Sequence, residues 1–372
     1  MKKKVLVLYS EFGNGHLAVA KALKEGLVQQ VYLHNGKKEQ NPQTTKLIEK
    51  IYLDFFTKNA SNILISNLYG FLFWSGNKIP PIVHYAIQKT GYKAVNKLIK
   101  QYKPDLIICT YPYKIKTNLP IITIITDYGF ANSWKSNPNE TYFVTDNNVK
   151  LDLIKKGIKK DKIYITGIPV NKTFDLCNNN SKITTILFNL GARGQYQTSR
   201  LIKCLENLKE KDLQIQVICG KNHKLYNKLL TLYNNQENLK IYPFVTNMEE
   251  LIAQSDLVIT KAGGISITEC IQAQKPMIIN KNQSLKGQEE FNVKFIHKNK
   301  LGLVTKEQTM FQTIEQVCSN NLLYNELKTN IINLKQQYQT QNYQELIKEL
   351  LDKENIWVII SWFLKLKTLK AP

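Results

Sequence analysis

Short runs of apolar, β-branched residues recur along the chain and alternate with stretches of helical period. The runs lie at Val5 to Tyr9, Leu106 to Cys109, Ile121 to Thr126, Tyr142 to Thr145, Lys162 to Thr166, Ile183 to Asn189, Gln214 to Cys219, Leu239 to Ile241, Leu257 to Thr260, Met277 to Asn280 and Leu301 to Val304. Continuous runs of this kind predict strands buried on both faces of a parallel sheet. The strand–helix alternation occurs twice, and each series begins with a strand and a glycine loop. The pattern therefore predicts an α/β protein with two Rossmann-like domains that face each other across a cleft.

A stretch without periodicity separates the two series. Asn171 to Lys182 contains three consecutive asparagines, which predicts an interdomain linker. We therefore expect an N-terminal domain over residues 1–172, a C-terminal domain over residues 183–352 and a separate tail over residues 353–372.

Two glycine-containing turns each lie between a predicted strand and a predicted helix. Ser10 to His16 precedes a helix over Leu17 to Gln29, and Lys261 to Gly264 precedes a helix over Ile265 to Gln274. Such a strand, turn and helix present free backbone N–H groups and the positive end of a helix dipole to an anion. Glu269, in the first or second turn of the later helix, would suit a ribose diol. The alternative is an ordinary βαβ connection whose glycines serve packing.

Two polar residues lie near the expected site edge of the first sheet. His16 stands where the first glycine loop becomes a helix, and Asp127 follows a predicted strand. Open α/β sheets place their sites at the carboxyl ends of strands. His16 is either a general base or a helix cap, and the residues alone favour the cap. Dinucleotide binding is poorly supported, because the loop lacks the GxGxxG spacing.

Aromatic residues are concentrated in two segments. Ile63 to Trp74 is too short to span a bilayer and predicts either core packing or a surface that dips into lipid. Ile356 to Leu364 is nearly all apolar and is followed by three lysines, which predicts an interfacial membrane anchor or a segment docked on the first domain. The aromatic side chains concerned are Phe71, Trp74, Trp357 and Trp362.

Composition narrows the class of protein. The 372 residues carry a formal net charge of +22, which favours contact with anionic membranes or nucleic acid. Nucleic acid is disfavoured, because the chain has no RNA-binding motif, zinc-ligand set or basic heptad. The six cysteines are scattered without a CxxC pair, which predicts a reduced, cytosolic protein. The first apolar run stops at Glu11 and is too short for export or membrane spanning.

Several motifs recur in an order that resembles a known family. They are FGNGH followed by AVAKAL, ITDY with a later tryptophan, ITGIPV, a GA-x-G loop, VICGKN, ITKAGG-x-S-x-TE and GQE-xx-N. This order resembles the processive diacylglycerol glucosyltransferases and the plant monogalactosyldiacylglycerol synthases of glycosyltransferase family 28. It is more distantly similar to the transferase that adds N-acetylglucosamine to lipid-linked muramyl-pentapeptide. The resemblance implies a GT-B fold, a UDP-hexose donor (most often UDP-glucose), a diacylglycerol acceptor, inversion at the sugar and no metal in the active site.

The resemblance also implies roles for individual residues. His16 would take the proton from the acceptor hydroxyl, and Asp127 would orient His16 or position the acceptor. The donor-binding residues implied are Gly15, Gly191, Arg193, Gly263, Gly264 and Ser266 around the diphosphate, Glu269 at the ribose, Phe244 and Val245 at the uracil, and Gln288 and Glu289 at the hexose. The acceptor-side or membrane-facing residues are Phe71, Trp74, Trp134, Trp357 and Trp362.

One departure from the family pattern keeps other functions open. Ala131 and Ser136 stand where the family has histidines on either side of the tryptophan, here Trp134. The expected function is a peripheral enzyme at the cytoplasmic face of the membrane that makes a β-glycosyl-diacylglycerol. The alternatives are a UDP-N-acetylglucosamine transferase that acts on a lipid-linked muramyl-peptide, a non-catalytic sensor of nucleotide sugar and membrane, and a basic RNA-binding protein.

Overall fold

The computed structural model describes residues 2–10, 15–35, 95–113, 115–130, 134, 140–170, 182–194, 196–281, 288–338 and 342–352. Among the residues predicted to be functional, Phe71, Trp74, Trp357 and Trp362 lie outside this set, as do Ala131, Ser136 and most of the predicted linker.

The N-terminal half is built on one parallel sheet. Its strands are β1 (Lys4–Tyr9), β2 (Gln30–Asn35), β3 (Leu106–Cys109), β4 (Ile121–Ile124), β5 (Thr141–Val144) and β6 (Ile163–Ile165), with helices α1 (Gly15–Gly26), α2 (residues 95–102) and α3 (Asn147–Lys155). The strand order is β2-β1-β3-β4-β5-β6. Strands β3, β4 and β5 are buried throughout, which is why they read as uninterrupted apolar runs.

The C-terminal half repeats this plan. Its strands are β7 (Thr185–Asn189), β8 (Gln214–Ile218), β9 (Leu239–Tyr242), β10 (Leu257–Lys261), β11 (Met277–Asn280) and β12 (Gly302–Thr305). Its helices are α4 (Thr198–Leu208), α5 (His223–Tyr233), α6 (Met248–Gln254), α7 (Gly264–Gln272), α8 (Gln288–Lys298), α9 (Met310–Cys318), α10 (Asn321–Tyr338) and α11 (residues 343–352). The parallel sheet has the order β12-β11-β10-β7-β8-β9, the doubly wound arrangement predicted from the sequence.

One apolar core crosses from one half of the molecule to the other. It contains Val5 of β1 and Val258 of β10, together with Ile347 and Leu351 of the last described helix. Helix α11 therefore returns to the N-terminal half, where Gln344 Nε2 donates a hydrogen bond of 2.5 Å to the carbonyl of Gly26. The two halves are packed against each other through apolar side chains as well as polar contacts.

The order of strands reverses once in each sheet. The reversal lies between β1 and β3 in the first sheet and between β7 and β10 in the second. The loops that leave these four strands on the carboxyl side diverge, and the crevice between them is where doubly wound folds bind ligands. The loops begin at Ser10, Thr110, Leu190 and Ala262.

Candidate active site

The amino-terminal ends of α1 and α7 meet across the interface of the two halves. A Cβ atom built on Gly15 would lie 3.3 Å from Ile265 Cγ1, so the first turns of the two helices are in contact. His16 of α1 and Gly264 of α7 therefore belong to one region, although 248 positions separate them in the sequence. The region joins the crevices of both sheets.

His16 is held in one orientation by the loop that follows β3. Its Nδ1 lies within hydrogen-bond distance of the Thr110 carbonyl oxygen, and Thr126 Oγ1 is 3.4 Å from the same nitrogen. The contact is reciprocal, because Thr110 Oγ1 donates to the His16 carbonyl at 3.0 Å. A carbonyl accepts but never donates, so the proton resides on Nδ1 and the lone pair on Nε2.

Burial keeps His16 in its neutral form. Desolvation lowers the pKa of His16 to about 4, although the hydrogen bond to Thr110 acts in the opposite direction. A neutral imidazole with Nδ1–H fixed to a carbonyl and a free lone pair on Nε2 is the form that a general base requires. The hydrogen bond to Thr110 engages Nδ1 and leaves the choice between a general base and a helix cap to experiment.

Asp127 does not supply the hydrogen bond that orients His16. Its side chain is buried, and Oδ1 accepts a hydrogen bond of 3.0 Å from Asn292 Nδ2 of α8. Burial raises the pKa of Asp127 to about 6, Asn292 and Lys261 lower it, and Glu289 raises it. Of the two roles expected for Asp127, the orientation of His16 belongs to Thr110, and a contact with the acceptor stays a prediction.

Trp134 lies behind His16 and inside the protein. Its side chain is fully buried, and its ring centroid is 6.4 Å from that of His16. Tyr111 packs edge-on against His16 with 5.3 Å between ring centroids. A fully buried indole has no surface to offer to lipid, so the membrane-facing part of the prediction for Trp134 is wrong, and its acceptor-side part stays a prediction.

The first turn of α7 carries the glycines expected at the donor diphosphate. Gly263 is the residue that precedes the helix and has no side chain to satisfy the first amides, so these N–H groups are available to an anion. Ser266 lies in the same turn and is half-buried. Gly264 packs directly against the backbone of the N-terminal half, because a Cβ on it would fall deep inside the van der Waals radius of the Thr126 carbonyl oxygen.

Lys261 brings a positive charge to the same place and was not singled out in the sequence. It is the exposed last residue of β10. Its Cε would lie 3.4 Å from a Cβ on Gly191, and its charge lowers the pKa of both Asp127 and Glu289. Gly191 has a φ of +76°, so the loop after β7 can turn beneath this side chain. A lysine at the end of a strand is usually interpreted as a solvated surface residue, which explains why the sequence pattern did not single out Lys261.

Arg193 and Glu289 were also expected at the donor, and along the chain they come before and after Lys261. Arg193 is half-buried in the turn that begins at Gly191. Glu289 is the second residue of α8, and burial raises its pKa while Lys261 lowers it. Gln288 is the first residue of α8, and its side chain is outside the described part of the structure.

Glu269 occupies the second turn of α7, as expected of the ribose-binding residue. Burial raises its pKa to about 8, and the nearby charge of Glu249 adds to this effect. A carboxyl group in such an environment lacks compensation for its charge, and two hydroxyl donors from a ribose would provide it.

The residues expected at the uracil lie in the loop after β9. Phe244 is 41% exposed, and Lys221 Nζ stands 5.4 Å from the centre of its ring. Val245 is half-buried and packs against the core that joins the two halves. A large exposed aromatic ring backed by a cation is suited to stacking with a nucleobase.

The described residues contain neither a cluster of metal-binding side chains nor a membrane-spanning helix. Within them, no group of three or more histidine, cysteine, aspartate or glutamate side chains is arranged to hold a metal ion. Across the same ranges, none of the helices combines the length and the apolar character needed to cross a bilayer.

Comparison with known proteins identifies the family. Residues 16–170 match the family model of monogalactosyldiacylglycerol (MGDG) synthase, and residues 185–350 match that of the glycosyltransferase family 28 C-terminal domain. A protein of Bacillus subtilis (strain 168) named processive diacylglycerol beta-glucosyltransferase is 28% identical over 380 residues, which cover 95% of this chain and 96% of the relative. The protein of the same name from Bacillus cytotoxicus is 29% identical over 328 residues, or 82% of each chain.

A solved structure identifies the fold. The crystal structure of MurG from Acinetobacter baumannii is similar over 95% of this chain and 100% of its own, with a TM-score of 0.58 and 16% sequence identity. This likeness confirms the predicted GT-B class, and together with the two family matches it confirms the resemblance seen in the motifs. The chain is a glycosyltransferase that belongs to glycosyltransferase family 28, in the branch of the MGDG synthases and processive diacylglycerol glucosyltransferases.

Proposed function

We propose that this glycosyltransferase moves glucose from UDP-glucose to the free hydroxyl of 1,2-diacylglycerol and forms a β-glycoside. The observation that carries the mechanism is His16, which is neutral, has its Nδ1–H on the Thr110 carbonyl and lies in the first turn of α1, where that turn meets α7. The names of the relatives support diacylglycerol as acceptor and glucose as the transferred sugar.

The reaction requires one base that accepts the proton of the acceptor hydroxyl and one site that stabilises the negative charge of the departing UDP. Nε2 of His16 takes the proton as the acceptor oxygen attacks the anomeric carbon, the bond to UDP breaks, and the sugar is inverted. The amides at the start of α7, Lys261 and Arg193 then stabilise the diphosphate, so the mechanism proceeds without a metal. Asp127 contacts the acceptor.

Product analysis tests this assignment. Purified protein would be incubated with each of UDP-glucose, UDP-galactose and UDP-N-acetylglucosamine, with either diacylglycerol or a lipid-linked muramyl-peptide as acceptor. We expect β-glucosyl-diacylglycerol by mass spectrometry and linkage analysis. N-acetylglucosamine on the muramyl-peptide would replace this assignment with the cell-wall reaction, and UDP binding without any transfer would favour the sensor.

Glu269→Gln is expected to raise the KM for UDP-glucose roughly tenfold or more, because a carboxylate can accept from both ribose hydroxyls with its two oxygens, whereas an amide accepts with one. Glu250→Gln is the matched control, since Glu250 lies on α6 and pairs with Asn247 at the surface. Donor titration at fixed acceptor separates the two variants. A KM in Glu269→Gln equal to that of the control would remove Glu269 from the donor site.

We further propose a peripheral location at the cytoplasmic face of an anionic membrane, with the tail over residues 353–372 as the anchor. The tryptophans Trp357 and Trp362 followed by lysines have the composition of an interfacial segment. Deletion of residues 355–372 is expected to weaken sedimentation with anionic vesicles and to leave UDP binding unchanged. Equal sedimentation before and after truncation would contradict the anchor, and loss of UDP binding would indicate a tail that packs on the protein.

A further inference from the structure

Asn292 of α8 connects the acceptor-side loop to the donor-side loop through its side-chain amide. Its Oδ1 accepts a hydrogen bond of 2.7 Å from the Tyr128 backbone N–H. Its Nδ2 donates to Asp127 Oδ1 at 3.0 Å and to the Ala262 carbonyl at 2.9 Å. The side chain is fully buried, so water does not compete for these three bonds. One amide thus binds two residues of the N-terminal half and the loop that precedes α7.

The contacts around this amide fix the same pair of loops. The Tyr128 ring stacks on Phe295 of α8 with 3.8 Å between centroids and 20° between planes. The Tyr128 hydroxyl lies 2.8 Å from Thr268 Oγ1 of α7. Gly129 leaves no room for a side chain, because a Cβ there would overlap Phe291. The loop from Asp127 to Gly129 is therefore packed closely against side chains of the C-terminal half.

The position of Asn292 on its helix links it to the donor. Asn292 follows Glu289 by three residues, so both side chains lie on one face of α8. Glu289 and Lys261 are the charged groups that act on the Asp127 carboxyl, and Asn292 provides its hydrogen-bond donor. Removal of that donor would raise the pKa of Asp127 above its value of about 6, since a hydrogen bond to the ionised form is lost.

We propose that Asn292 is a positioning residue. It holds the Asp127 carboxylate at a fixed position relative to the loop that precedes α7, so that the acceptor contact forms only when the two halves are docked. The role given to Asp127 rests on the proposed function, whereas the docking of the loop does not. Asn292 acts through Asp127 and Ala262 rather than on the reacting atoms. The sequence contains it in the GQE-xx-N motif but gives no sign of its partners.

The test compares Asn292→Asp with Asn148→Asp in the full-length protein. Asn292→Asp keeps the shape and the acceptor for Tyr128 but places a carboxylate against Asp127 and leaves the Ala262 carbonyl without its donor. Asn148→Asp is the control, because it makes the same change at another contact between the halves and retains the oxygen that Lys298 Nζ reaches at 3.2 Å. The readouts are amide hydrogen exchange over residues 125–130, kcat, the KM for UDP-glucose and the pH profile.

We expect Asn292→Asp to speed exchange over residues 125–130, to lower kcat roughly 10- to 100-fold and to leave the donor KM within about threefold. The acid limb of the pH–rate profile of Asn292→Asp should move to higher pH. The control Asn148→Asp should match the wild type in all four readouts. The exchanged pair Asp127→Asn with Asn292→Asp reverses the direction of the hydrogen bond and should restore slow exchange. The proposal is overturned by wild-type exchange in Asn292→Asp, by a raised donor KM with unchanged kcat, or by a pair that exchanges as fast as the single variant.

The exchange measurement separates this proposal from the assignment of the substrate. If the wild-type protein transfers no hexose to diacylglycerol, the proposed function fails, and the protection of the Tyr128 amide still decides whether Asn292 seats the loop.

Discussion

His16→Gln is expected to lower kcat by about 10²- to 10⁴-fold, the range that a positioned general base contributes. The substitution removes the lone pair on Nε2 and retains a polar side chain of similar size. The ring contacts the N-terminal half through Thr110 and Thr126, and the groups proposed for the donor, apart from Gly15, lie on the other half of the molecule. The KM for UDP-glucose should therefore change little, and the loss should appear in kcat.

His34→Gln is the matched control for this substitution. His34 lies on β2 at the edge of the same sheet, with its ring 4.8 Å from that of Tyr102. Full activity is expected in His34→Gln. A kcat for His16→Gln within a few-fold of the wild type would show that another group removes the proton, and a loss of equal size in both variants would point to the stability of the N-terminal half.

The pH profile separates His16 from Asp127. His16 loses its lone pair only below its pKa of about 4, whereas Asp127 loses its negative charge below its pKa of about 6. Measured for the acceptor at saturating UDP-glucose, where the ribose already engages Glu269, the kcat/KM of the wild type should therefore fall first near pH 6 and more steeply near pH 4. Asp127→Asn should abolish the limb near pH 6 and retain the limb near pH 4 in its residual activity. A single limb near the ordinary histidine value of 6.5 would contradict the buried, neutral state of His16.

Buried strands were the most predictable part of this fold. Strands β3 and β11 have the bounds expected from the sequence, and the other predicted strands differ by one or two residues at an end. The exception is β2, which the sequence did not reveal. It is an edge strand with one neighbour and half-buried side chains, so it lacks the continuous apolar run of the central strands.

The location of a candidate site residue was predictable where it follows from the order of strands and helices along the chain. His16 and Gly264 stand in the first turn of a helix that follows a strand, and any doubly wound fold brings such residues to the crevice. The hydrophobic and polar pattern of the sequence does not reveal the contacts of Thr110 and Asn292. Thr110 acts through its backbone carbonyl, and the side-chain amide of Asn292 has partners that lie far away in the sequence. Trp134 was expected on the acceptor side or at the membrane, and only its neighbours in the folded chain show that its side chain is buried.

Gly264→Ala is expected to lower kcat roughly 100-fold or more by separating the two halves. The added Cβ would overlap the Thr126 carbonyl oxygen and lie 3.0 Å from its carbon and 3.2 Å from Asp127 Cα. All three are backbone atoms, so no side-chain rotation relieves the overlap and the loop must move by about an ångström. A displacement of that size between reacting groups costs on the order of 100-fold in rate.

Gly263→Ala distinguishes this overlap from a general effect on the glycine turn. Gly263 has a φ of −89°, and a Cβ there would lie 3.6 Å from Lys261 Cε and 4.0 Å from Ser266 Oγ, which are ordinary contacts with movable side chains. Gly263→Ala should keep slow amide exchange over residues 125–130, with any effect confined to the KM of the donor. Gly264→Ala should speed that exchange and lower kcat together. If Gly264→Ala exchanges and turns over like the wild type, the approach of α7 to Thr126 is not part of the working enzyme, and His16 must meet the donor in another arrangement of the two halves.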